Sequence, residues 1–159
     1  FPYTTLFRSF ISQNCGAGNP ARAKAALLLC MRFALIFQLG VYVLTWLLAP
    51  FIADLFSDHP QVVRLIVLYL HLVPIGYGFQ GMVMLLASAL NGVRASAVSL
   101  LINGIRLFVF LLPGAWLGAK LGGEQGIYLG MLLANLAAGL LAWGYARHRF
   151  ERLCHQGRS

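Results

Sequence analysis

The sequence predicts an all-α fold: a bundle of membrane-crossing helices with four spans, at about 22–56, 60–90, 95–119 and 124–148. Three observations lead there. Of 159 residues, 60% are hydrophobic and only 10% are charged, against about 45–50% and about 25% in soluble domains. Each of the four apolar runs reaches the roughly 20 residues needed to cross a hydrocarbon core about 30 Å thick. None of them alternates as a barrel strand would, and all are too long for buried strands.

Each run has readable ends. Gly16-Ala-Gly-Asn-Pro20 precedes the first, and Pro20 suits the opening turn of a helix. Ser57-Asp58-His59-Pro60 is a stop and restart, with Ser and Asp fit for an N-cap and Pro for the first turn. Asn91-Gly92-Val93-Arg94 reads as a turn between the second and third runs, and Lys120 to Gly126 separates the third from the fourth. Pro74 and Pro113 lie inside runs, where each removes a backbone donor and is expected to kink its helix.

The net charge is +8, and its placement matters more than its size. Arg22 and Lys24 precede span one, Arg94 lies between spans two and three, and Arg147, Arg149, Arg152 and Arg158 follow span four. With four spans these seven share one face, against Arg64 and Lys120 on the other. Lys and Arg collect on the cytoplasmic side, so the C-terminus is expected there, in a multi-pass protein of a bacterial inner membrane. No basic stripe with interleaved aromatics is present, so nucleic acid is not an expected partner; membrane lipid is.

The three cysteines, Cys15, Cys30 and Cys154, are odd in number and widely spaced, which argues against a disulfide framework or a zinc site. No catalytic set, phosphate loop or dinucleotide fingerprint occurs, so neither enzyme activity nor a cofactor is expected. Residues 1–9 read unlike the rest and resemble translated adapter sequence; they are set apart as a non-native leader. Residues 151–159 read as a basic cytoplasmic tail.

Polar groups inside a membrane are costly and therefore functional candidates. Arg106 lies about 11 residues into the third run, roughly 16 Å along a helix axis, far from any acidic residue in the runs. It either lines a wet cavity or snorkels to the interface, and Arg32 snorkels. Gln38 and Tyr42 share one face of span one; Tyr69, His71, Tyr77 and Gln80 surround Pro74 on span two. Together they could line a pocket for flat organic cations through stacking and cation–π contact. The competing reading is hydrogen bonding between helices, which is also the simplest role for Asn103 and Asn135.

The segment Gln13-Asn14-Cys15-Gly16-Ala17-Gly18 resembles one that follows the second helix of a lobe in the multidrug and toxic compound extrusion (MATE) family. Further pieces keep that family's order: Pro50 to Asp58, Phe79-Gln80-Gly81, Ser88 to Gly92, Arg106 through Trp116, and Gly123-x-x-Gly126. The resemblance covers residues 10–150 and implies a partial C-terminal lobe, the end of helix 8 and helices 9–12, of a twelve-helix, two-lobe transporter. It implies antiport of a small organic, often cationic, substrate against H⁺ or Na⁺. The missing N-terminal lobe would be the partner. No acidic residue occurs between Val62 and Leu90, where some members carry one, so the coupling-ion site is expected outside this chain. A lipid-linked sugar flippase of the same superfamily and a non-transporting four-helix scaffold are the alternatives.

Overall fold

The structure, a computed structural model, describes residues 2–156. Phe1 of the leader and residues 157–159 of the tail, Arg158 among them, lie outside the described residues. In chain order the elements are α1 (Pro2–Gly16), α2 (Pro20–Phe56), α3 (Pro60–Gly92), α4 (Ser96–Gly104), a π-helical stretch (Ile105–Leu111), α5 (Leu112–His148) and α6 (Phe150–Gln156). Among the described residues there is no strand.

Three continuous helical runs are long and apolar enough to cross a membrane: Pro20–Phe56, Pro60–Gly92 and Ser96–His148. The third, at 53 residues, would be about 80 Å long if straight. It is not straight. Gly122 and Gly123 leave helical geometry, and Gly123 takes φ 57°, in the left-handed region. The chain reverses there, so α5 has an outgoing arm (112–121) and a return arm (124–148). Gly114 faces Gly130 and Gly118 faces Gly126 across the two arms. In one straight helix the first pair would stand roughly 24 Å apart. The four expected spans are therefore present, two of them as one glycine-centred hairpin.

The connectors fall where the sequence put them, with one correction: the N-cap of α3 is His59, which makes no side-chain cap bond, and not Ser57 or Asp58. Pro20 and Pro60 open α2 and α3, and the Ser57 hydroxyl accepts the His59 N–H at 3.1 Å. The turn read at Asn91 to Arg94 falls on its second half: α3 runs on through Gly92, and the left-handed residue is Arg94, at φ 59°. Between α1 and α2 the left-handed residue is Gly18, at φ 78°, whereas Gly16 closes the helix. Both left-handed residues fall within the connectors read from the sequence, each two positions beyond the glycine that ends the preceding helix.

The prolines act differently from one another. α3 continues through Pro74, which is buried. Pro113 is preceded by the π-helical stretch, whose last bond runs from the Leu112 N–H to the Leu107 carbonyl, five residues back. A proline ring crowds the carbonyl four residues earlier, here that of Val109. A widened turn gives that carbonyl room, which accounts for the π geometry here.

The core sits at one end of the bundle. Ile11 of α1, Leu27 and Met31 of α2, Met82, Leu86 and Leu90 of α3, Ala142 and Ala146 of α5 and Phe150 of α6 are packed there together. Residues 2–9 belong to α1; within them Phe7 packs against this core, and Arg8 donates to the Asn91 carbonyl at 3.1 Å. Residues 151–156 are not a free tail: α6 docks on the core, with Phe150 and Cys154 buried and Lys24 paired to Glu151 at 3.2 Å. Away from this end, α2 exposes Phe33, Ile36, Phe37, Leu44, Leu47, Phe51 and Leu55. Such an apolar exterior suits lipid or further protein and not water.

Candidate functional site

Two of the predicted cavity residues fasten α2 to α3. Gln38 and Tyr42 lie four apart on α2, so their side chains leave the same face. Gln38 Nε2 donates to the Pro74 carbonyl at 3.0 Å, and the Tyr42 hydroxyl donates to the His71 carbonyl at 3.2 Å. Gly78 of α3 leaves room for Gln38: a Cβ there would stand 3.2 Å from the Gln38 Cβ. Both polar groups are thus engaged with backbone at the Pro74 segment, which is the interhelical role. Beside them, the His71 ring stacks on Trp46 with centroids 5.2 Å apart.

Tyr69 and Tyr77, two turns apart on α3, share a hydrogen bond with 2.6 Å between their oxygens. The Tyr69 ring meets Tyr128 of the return arm edge-on, with centroids 5.6 Å apart. Tyr77 remains exposed, and Gln80 is half-buried on the same helix. The motif residues Gln13, Asn14, Gly16 and Ala17 build the α1–α2 connector. Asn14 Nδ2 caps back onto the Phe10 carbonyl at 2.8 Å, and the Ala17 N–H reaches the Gln13 carbonyl at 2.9 Å.

Arg106 stands apart from that group. It lies in the π-helical stretch and lines a cavity of about 620 Å³ between α4 and the return arm. The other walls are aliphatic and aromatic, including Val83, Ile102, Phe110, Ala138 and Leu141, with Tyr145 and Arg149 toward the chain's end. Arg106 Nε is buried without a partner among the described residues. A second cation, Arg32, sits with its guanidinium 5.6 Å over the Trp143 ring. The sequence marked Arg106 but not Tyr145 or Arg149 as its neighbours. The signal was available: pairing Gly114 with Gly130 and Gly118 with Gly126 sets a register that carries Arg106 opposite Ala138.

The two asparagines divide. Asn103 Nδ2 donates to the Ser99 carbonyl of its own helix at 3.0 Å, so it is not an interhelical link. Asn135 is buried against Gly76, and its Oδ1 has no partner among the described residues. Ser99, not singled out beforehand, makes the cross-helix bond, to the Ala87 carbonyl at 3.2 Å.

The expectation of unpaired cysteines fails for two of the three. Cys15 and Cys154, 139 residues apart, are joined as a disulfide with Cα atoms 5.3 Å apart; Cys30 is free. Spacing in sequence says nothing about a pair brought together by docking of the last helix onto the first. Among the described residues no cluster of His, Cys, Asp and Glu could hold a metal ion.

Long apolar helices with an apolar exterior, side-chain bonds between them and arginines within the apolar runs define a polytopic membrane protein. The MatE family profile matches residues 7–117, and the chain belongs to that family. It is 40% identical over 145 residues to an FAD transporter of Shewanella oneidensis, covering 91% of this chain and 31% of that protein. Among solved structures it is similar to the Vibrio cholerae MATE transporter VcmN in the bent form, with TM-score 0.89 and 32% identity over 98% of this chain. An inward-facing multidrug resistance MATE family transporter of the MOP superfamily shares the fold, with TM-score 0.85 at 20% identity over 94% of the chain. The chain spans about a third of the length of these relatives. The family is one of transporters and not of enzymes.

Proposed function

We propose that this chain supplies the end of helix 8 and helices 9–12 of a secondary active transporter, and that the solute it helps to move is an organic anion of the flavin dinucleotide class. The observation that carries the choice of solute is the charge inventory at membrane depth. Arg32 and Arg106 lie inside spans, whereas all four acidic residues (Asp54, Asp58, Glu124 and Glu151) lie at span ends, in connectors or in α6. A cationic drug would meet like charge here; a diphosphate would meet partners. The 40% identity to an FAD transporter supports the same reading. Aromatic side chains around Pro74 suit a flat ring system for either charge.

Movement proceeds by alternating access, with two lobes rocking about a central site and a proton or sodium gradient favouring one state. Coupling through an acidic group on α3 is not available, because none occurs between Val62 and Leu90. The coupling site belongs to the other lobe. The basic face supports a C-terminus on the cytoplasmic side of a bacterial inner membrane.

The test is reconstitution of the full-length transporter containing this chain in proteoliposomes, with an imposed proton or sodium gradient. FAD and a flat organic cation are compared as solutes. Gradient-driven FAD movement, reduced roughly tenfold or more in Arg106→Gln, is the expected result, a tenfold change being about 1.4 kcal/mol. Movement of the cation and not of FAD would establish the multidrug reading instead. A lipid-linked sugar as the sole solute would establish the flippase reading.

A further inference from the structure

We propose that Cys15 and Cys154 are a reversible thiol–disulfide site, which fastens α6 to the end of α1 when oxidised and releases it when reduced. The two residues come from opposite ends of the chain, 139 positions apart, and nothing local holds them together. Their Cα separation of 5.3 Å lies inside the range of about 4.4–6.8 Å that lets a disulfide form without moving backbone. Both are buried, at 6% and 3% exposure, yet neither is sealed off. A cavity of about 320 Å³ opens onto the pair, walled by Ser12, Gly16, Gly92, Val93 and Arg94.

Arg94 gives that cavity its character. It is exposed and held in a left-handed turn at the cavity wall. A guanidinium beside a thiol favours the thiolate, the form that attacks disulfides. It also favours approach of an oxidant bearing carboxylates, as glutathione disulfide does. The exchange balances with that oxidant alone. One cysteine thiolate attacks a sulfur of glutathione disulfide, forming a mixed disulfide and expelling one glutathione thiolate. The second cysteine loses its proton and attacks the protein-side sulfur, expelling the other. Two protein thiols are oxidised, two electrons reach glutathione, and the two protons end on the departing thiols.

The location makes reversibility meaningful. The pair lies on the face that carries Arg22, Lys24, Arg94, Arg147, Arg149 and Arg152, which the proposed function places in the reducing cytoplasm. What the bond fastens is defined: α6 is seven residues long, held otherwise by Phe150 in the core, Leu153 packed against it and the Lys24–Glu151 pair. A half-exposed ion pair of that kind adds little, so loss of the covalent link leaves Phe150, with Leu153 beside it, as the main anchor.

The experiment uses the full-length protein carrying Cys30→Ser, in native membranes, equilibrated with glutathione mixtures from fully reduced to fully oxidised. Thiols are then counted with a mass-tagged maleimide after denaturation, and α6 release is followed by trypsin cleavage after Arg152. A single transition in which two thiols are lost, and which is absent in Cys154→Ser, is expected, with cleavage and loss of the Cys154 peptide roughly tenfold faster in the reduced protein. Cys154→Ser should be cleaved at the fast rate whatever the mixture. The proposal is overturned if the pair stays reduced throughout, stays oxidised in excess reduced glutathione, links two chains, or is cleaved equally fast in both states. Labelling of the pair from the periplasmic side alone would overturn it too. None of these readouts depends on which solute is carried.

Discussion

Two helix–helix contacts in this molecule solve the same problem by opposite means. Where α2 meets α3, side chains reach across: Gln38 and Tyr42 donate to the carbonyls of Pro74 and His71. Where the two arms of α5 meet, there is no room for side chains, and Gly118 and Gly126 bring backbone against backbone. Lipid gives helices no hydrophobic reason to associate, so contact must come from hydrogen bonds or from close packing. The comparison separates those two sources within one chain. A polar clamp tolerates loss of one member, because its neighbour persists. A glycine seam does not tolerate gain of a methyl, because the atom it would meet is backbone and cannot rotate away.

The largest expected effect lies in the seam. Gly118→Leu or Gly126→Leu should abolish a folded hairpin or cost more than about 3 kcal/mol, at the upper end of core overpacking. Unfolding in detergent micelles, followed by circular dichroism and by protease resistance of the 112–148 segment, reads it out. The matched control is Gly40→Leu on α2, where a side chain would enter open space, and a change within about 0.5 kcal/mol is expected. Equal effects at Gly118 and Gly40 would dissolve the distinction.

Next in size is Gly139→Ala, where the added methyl would stand 2.6 Å from Phe79 Cβ. Phe79 Cα lies at 2.9 Å as well, so the α3 backbone itself must give way, and a loss of about 2–3 kcal/mol is expected in the same unfolding assay. The clamp comes below it. Gln38→Leu and Tyr42→Phe should each cost about 0.6 kcal/mol, with about 1.7 as the ceiling seen for such bonds in membranes. The double variant sharpens the comparison: near-additive loss means two independent bonds, and a larger loss means that the two hold the Pro74 segment as a unit. The smallest effect is that of Tyr77→Phe, which removes one exposed hydroxyl from the Tyr69 pair; a change of about 0.5 kcal/mol is expected in thermal unfolding.

The fold was largely legible because its main determinant is long-wavelength. Apolar runs, proline starts and glycine connectors are properties of neighbouring residues, and they placed the helix ends at Phe56, Pro60 and the Gly122–Gly123 reversal within a few positions. The site was legible only in residue type. Gln38, Tyr42, Tyr69 and Tyr77 were marked as polar groups within apolar runs, but the acceptors of Gln38 and Tyr42 are carbonyls, which a sequence does not display. Arg106 was marked for its depth, while the π geometry around it arises from a clash with Pro113 several residues on. The Cys15–Cys154 bond was the furthest from view, because it depends on how the last helix folds back on the first.

The glycines of the seam recur every fourth residue, at 114, 118, 122, 126 and 130. Slide one arm by a single residue and a Cβ is driven into the opposite backbone; only steps of four restore the match, and the left-handed turn at Gly123 selects one of them. The hairpin therefore has one setting and no fine adjustment. Mechanically it is a stiff plate. Any bending that this part of the chain undergoes is displaced to its stem, the π-helical stretch at 105–111, where no residue is buried and compliance is least restrained.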